Sequence, residues 1–124
     1  MKRNMEIVIE IAKAIEERTS EQRFLEFIIL DDKYDHDIVQ YQLKLMWKAN
    51  LIEAMDISSM DGEEYLPGDL TWAGHEFLDA ARNDNVVERA KGMAKEKGFE
   101  FASLPFDLAK DLLVHAAKGW FGLE

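Results

Sequence analysis

The chain contains no cysteine, only two prolines, and fifteen basic residues among 124. Without cysteine there is neither a disulfide framework nor a thiolate zinc site, a composition suited to a reducing cytoplasm. No apolar run approaches the roughly eighteen residues of a membrane span. The opening Met1-Lys2-Arg3-Asn4-Met5-Glu6 moves into a helical pattern rather than a signal peptide. There is no glycine-rich phosphate loop and no nucleophile elbow. His36, His75 and His115 lack the spacing of zinc ligands, and Asp31, Asp32, Asp35 and Asp37 lack the glycine and register of an EF-hand loop. These absences argue against an enzyme and imply no metal or cofactor.

Basic charge is the scarcest resource. Net charge is −10, and residues 1–69 carry sixteen acids against eight bases. A domain that binds DNA gains much of its affinity by neutralising phosphates with Lys and Arg, so it normally shows a basic face. From Asn50 to Asp69 there are six acids (Glu53, Asp56, Asp61, Glu63, Glu64, Asp69) and no base.

What is present is a strong pattern of elements. Met5, Val8, Ile9, Ala12 and Ile15 recur with a 3.6 period, and Ile7 and Ile11 widen the stripe, so residues 4–18 read as a first helix. Phe24 to Leu30 is short and rich in β-formers and reads as a strand. Asp35 or Asp37 is placed to cap a helix over 36–49, with Val39, Leu43 and Met46 facing inward and Asn50 suited to a left-handed end. A strand follows from Leu51 to Ile57, an acidic turn from Ser58 to Glu63, and a second strand from Tyr65 to Leu70 in which Pro67 suits an edge.

Thr71 then caps a helix over 72–83, and Gly74 lets that helix approach a neighbour closely. Val86, Val87, Ala90, Met93 and Ala94 mark another helix, stopped by Gly98. Ser103 caps a last helix with Pro105 in its first turn, and Leu104, Leu108, Leu112, His115 and Ala116 share one side of it.

The helix at 36–49, the two-stranded turn and the Leu70-Thr71 entry to the next helix are the order of a winged helix. The expected class is α+β and mostly helical: a winged helix-turn-helix-like core over 1–83 with a helical extension over 84–124, forming one domain overall.

Particular residues carry a family resemblance. They are the opening Met-Lys-Arg-Asn-Met, the run Tyr41-Gln42-Leu43-Lys44-Leu45 with Leu51-Ile52, the run from Leu70-Thr71-Trp72 through Gly74-His75 to Arg82, and Ser103-Leu104-Pro105-Phe106-Asp107. In that order the chain resembles the small bacterial and prophage proteins grouped as domain of unknown function 2513. The resemblance implies a winged-helix-like fold and a frequent phage origin. It supplies no catalytic residues. Where family members commonly have glycine this chain has Asn50, which keeps the left-handed cap.

Two candidate surfaces follow. On the helix at 36–49, Gln40, Tyr41, Lys44, Leu45, Trp47 and Lys48 face away from the core stripe. Gln and Lys are side chains that read base edges, whereas Tyr41, Leu45 and Trp47 suit burial or a protein partner. The acidic turn, with Asp56, Asp61, Glu63 and Glu64, would be repelled by phosphates. The expected function is a non-catalytic protein-interaction module; the alternative is a DNA-binding regulator using Gln40, Lys44 and Lys48. On the last helix, Leu108, Leu112, Trp120 and Phe121 are candidates for a homodimer interface. Membrane docking is disfavoured, because only Lys110 and Lys118 on that helix would meet anionic lipid.

Overall fold

A computed structural model of the chain describes residues 1–17 and 29–122. Among these residues the fold is α+β: helices α1 (Met5–Glu17), α2 (His36–Lys48), α3 (Trp72–Ala81), α4 (Asp84–Glu96) and α5 (Phe106–Phe121), with one antiparallel pair of strands, β1 (Ile52–Asp56) and β2 (Tyr65–Leu70). The strand expected at 24–30 lies mostly outside the described residues; Ile29 and Leu30 open a 3-10 turn, Ile29–Asp32.

The apolar stripe of α1 is buried in full, from Met5 to Ile15. Its start is set by Asn4, whose Oδ1 accepts from the Glu6 amide at 3.0 Å and from the Ile7 amide at 3.4 Å. In α2, Val39, Leu43 and Met46 are buried as their spacing requires. Asp35 occupies the N-cap position but its carboxylate makes no capping bond; only its carbonyl serves the helix, accepting from the Ile38 and Val39 amides.

The chain leaves α2 through Asn50, whose φ of 62° is the left-handed conformation that Asn tolerates. It then enters β1, which pairs with β2 through Ala54 and Pro67, Met55 and Leu66, and Asp56 and Tyr65; a register shift falls between Ile52 and Ala54. The hairpin closes where Ser59 and Gly62 exchange backbone hydrogen bonds. Thr71 caps α3 as expected, its hydroxyl accepting from the Gly74 amide at 3.1 Å.

Two expectations about the C-terminal segment are corrected. Ser103 does not cap α5: it ends a 3-10 turn, Phe101–Ser103, and Pro105 stands at the N-cap position, where its carbonyl accepts from the Ala109 amide at 2.9 Å. The buried face of α5 is Ala109, Leu113 and Ala116 rather than the row through Leu108 and His115. The reason is close helix packing. Helix α5 lies against α4, and both helices bury alanines, Ala90 and Ala94 on α4 and Ala109 and Ala116 on α5. The larger Leu108 is left outside. The rings of Phe77 and Phe106, with centroids 5.1 Å apart, tie α5 to α3. Buried side chains from 1–83 and from 84–124 form one contiguous core.

Candidate functional site

The hairpin folds back along one side of α2, and the helix's periodicity decides what it meets. His36, Gln40, Lys44 and Trp47 recur every three or four residues and therefore share that side. Each engages the hairpin. The Glu64 carboxylate lies 2.7 Å from His36 Nε2. Gln40 Oε1 accepts from the Tyr65 amide at 2.7 Å. Lys44 Nζ donates to both oxygens of Glu63, each at 2.8 Å. The Trp47 ring stands 5.6 Å from that of Tyr65, tilted by 48°. The Glu63 contact holds the Lys44 ammonium above its ordinary pKa, so Lys44 stays charged and occupied.

Between α2 and the hairpin tip lies a groove of about 510 Å³ lined by Asp37, Tyr41, Asp61, Glu63 and Glu64 among others. Four carboxylates line it, Asp37 from α2 and Asp61, Glu63 and Glu64 from the hairpin, so it is acidic although Glu63 is held by Lys44 and Glu64 lies beside His36. At the tip itself Met60 is fully exposed, and Met55 on β1 and Ile57 just after it expose 46% and 40% of their surface. Asp56 is held below the usual carboxylate range by the Ser58 side chain and amide, so it too stays ionised.

The six helix candidates are thus divided. Gln40, Lys44 and Trp47 are turned to the hairpin, and Tyr41 looks into the acidic groove. Leu45 and Lys48 belong elsewhere, to a cavity shared with the start of α5. Of the acidic candidates, Asp61, Glu63 and Glu64 converge on the groove, and Asp56 lies on β1 beside them. On α5, Leu108, Trp120 and Phe121 expose 49%, 48% and 65% of their surface, whereas Leu112 is half-buried against the core. Trp47 meets Tyr65 and keeps 38% of its surface exposed.

A family profile described as "Hypothetical protein (DUF2513)" matches residues 2–100. The chain belongs to the DUF2513 family. An uncharacterized protein of Haemophilus influenzae is 35% identical to this DUF2513 protein over 105 residues, covering 82% of this chain and 86% of its relative. No solved structure matches it. The family match takes in α1, α2, the hairpin, α3 and α4, and so includes every residue lining the acidic groove except Met1; α5 lies beyond it, as do the residues 103–107 that carry part of the sequence resemblance.

One polar residue of this DUF2513 protein escapes the sequence reading. Gln42 is completely buried: its Oε1 accepts from the Asn4 amide at 2.8 Å and its Nε2 donates to the Lys2 carbonyl at 2.9 Å. Its signal is positional, since it falls between Val39 and Met46 on the inward stripe. Gln42 fixes the N-terminal residues, including Arg3, against α2. Lys33 is paired with Glu10 and shares that carboxylate with the Tyr34 hydroxyl. Among the described residues no helix is long and apolar enough to cross a membrane.

Proposed function

We propose that this protein is a non-catalytic protein-binding module on a winged-helix-like scaffold, offering the groove between α2 and the hairpin to a basic, partly apolar segment of a partner. One observation carries the reading. The two polar side chains of α2 best suited to base edges, Gln40 and Lys44, are already bound by the hairpin's own amide and carboxylate. A duplex would have to displace Glu63 from Lys44 and then accept the remaining carboxylates of the hairpin against its phosphates. A basic peptide faces neither cost. Met60, Met55 and Ile57 supply the apolar contact that such a partner buries, and carboxylates around them steer its approach.

The test is fluorescence anisotropy with a labelled short peptide of alternating lysine and leucine. Binding is expected, and the double variant Met60→Ser, Asp61→Asn should weaken it by about tenfold, roughly 1.4 kcal/mol. Absence of peptide binding beside tight duplex binding would reject the reading.

Self-association through α5 belongs to the same proposal. Its exposed face carries Leu108, Val114 and Phe121, with Asp107 and Asp111 toward one end and Lys118 toward the other. A two-fold antiparallel pair would bring opposite charges together around the apolar residues.

The order helix, hairpin, capped helix favours a second reading, a DNA-binding regulator that presents Gln40, Lys44 and Lys48 from a dimer. It requires the Glu63 contact to open.

A further inference from the structure

A second cavity, of about 280 Å³, opens at the opposite end of α2 from the acidic groove. Four separate parts of the chain build it: Met5 at the start of α1, Met46 in the last turn of α2, Leu51 at the entry to the hairpin and Phe106 at the start of α5. Met5, Met46 and Leu51 are buried, so the walls are apolar and fixed by the core. At its rim stand Arg3 and Lys48, and no carboxylate lines it, although the chain carries a net charge of −10.

Several bases of the fold are already paired. Lys13, Lys33, Lys44, Arg82 and Lys91 each hold a carboxylate. Arg3 and Lys48 hold none among the described residues. The Nε of Arg3 is also buried and donates to nothing among the described residues. Buried donors in folded proteins are nearly always satisfied, so this unpartnered one leaves the Arg3 guanidinium short of acceptors. A guanidinium and an ammonium without carboxylate partners at one mouth select an anion, and the apolar walls select a hydrocarbon tail behind it.

We propose that this cavity binds a small monocarboxylate with a short aliphatic chain, its carboxylate on Arg3 and Lys48 and its tail between Met5, Met46, Leu51 and Phe106. A neutral apolar molecule would fill the walls but leave the two cations at the rim unpaired. A phosphate or other compact dianion would satisfy the cations but leave the apolar walls unfilled. At about 30 Å³ per small group in a liquid, the space suits roughly ten non-hydrogen atoms, the size of octanoate. The two methionines are flexible enough to adjust to chains slightly longer or shorter.

The experiment is a titration of the full chain with sodium octanoate, followed by amide chemical shifts, with 1-octanol as the matched neutral probe. Octanoate is expected to give saturable shifts centred on Met46, Leu51 and Phe106, with octanol at least tenfold weaker. The double variant Arg3→Gln, Lys48→Gln is expected to lose octanoate affinity by at least tenfold, keep its melting temperature, and bind octanol as the unmodified chain does. No saturable shift with octanoate, or equal binding of octanoate and octanol to the unmodified chain, would overturn the proposal whatever the variant does. Undiminished octanoate binding in a folded double variant would overturn it as well.

Discussion

The carbonyl oxygen of Leu51 lies where a side chain on Gly74 would begin: a Cβ placed there would stand 2.0 Å from it. That oxygen also accepts from the Thr71 amide at 3.0 Å, so the entry to the hairpin and the first turn of α3 are in direct backbone contact. No backbone atom can retreat without breaking that bond. Gly74→Ala is therefore expected to destabilise the fold by about 1–3 kcal/mol or more. Thr71→Ala, which removes the cap and the hydroxyl's 2.6 Å bond to the Asn50 carbonyl, should cost about 1–2 kcal/mol. Thermal melts followed by circular dichroism check the order; a Gly74→Ala protein as stable as the parent would refute the contact.

Gln42 makes a comparable prediction in polar terms. It satisfies the Asn4 amide and the Lys2 carbonyl from a completely buried position. Gln42→Ala should cost about 1–3 kcal/mol, because it strands those partners and opens a void. Amide hydrogen exchange at Asn4 should accelerate at the same time. Unchanged exchange there would mean that the N-terminal residues are held by something else.

Besides the exposed Asp56, two carboxylates that tie separate parts of the chain together give the pH dependence. Hydrogen bonds from Arg82 hold Glu16 below its ordinary value of 4.5. Partial burial works to raise Glu10, but its bonds from Lys33 and Tyr34 outweigh this and leave it lowered. A folded-state pKa below the unfolded one contributes stability that is complete above the unfolded value and lost as pH falls through the folded one. Melting temperature should therefore hold steady above about pH 5 and decline below about 4.5. Glu16→Gln should flatten part of that decline, by under about 1 kcal/mol for so exposed a pair. A decline that is identical in the variant would remove the Glu16–Arg82 pair from the account.

Much of the fold is legible in the sequence because local chemistry and core packing agree over 36–82. The stripe Val39, Leu43, Met46, the left-handed Asn50 and the Thr71 cap each have a local signal, and the structure places all three as read. The face of α5 was not legible. Alanine contributes little to an apolar pattern, yet Ala109 and Ala116 are what permit close contact with α4, so the heavier Leu108 misdirects the reading. The candidate site was half legible. Periodicity tells which residues of α2 leave the core, but only the path of the hairpin decides that Gln40 and Lys44 are engaged while Leu45 and Lys48 face a different cavity.

The exposed face of α5 predicts association. Light scattering at micromolar concentration should give the mass of a dimer, and the double variant Leu108→Asp, Phe121→Asp should give a monomer with unchanged helicity. A monomeric parent would reject the pairing and leave Leu108, Trp120 and Phe121 without that partner.

The most direct measurement is amide chemical-shift mapping of the full chain with two probes in turn, the lysine–leucine peptide and a random-sequence duplex, at physiological salt. The account predicts that the peptide shifts Tyr41, Asp61, Glu63 and Glu64, and that the duplex binds no tighter than the non-specific range of about 10⁻⁴ to 10⁻⁶ M without moving those signals. Nanomolar duplex binding that falls steeply with salt and shifts Gln40, Lys44 and Lys48 would contradict it, because it would show the hairpin releasing α2 to read DNA.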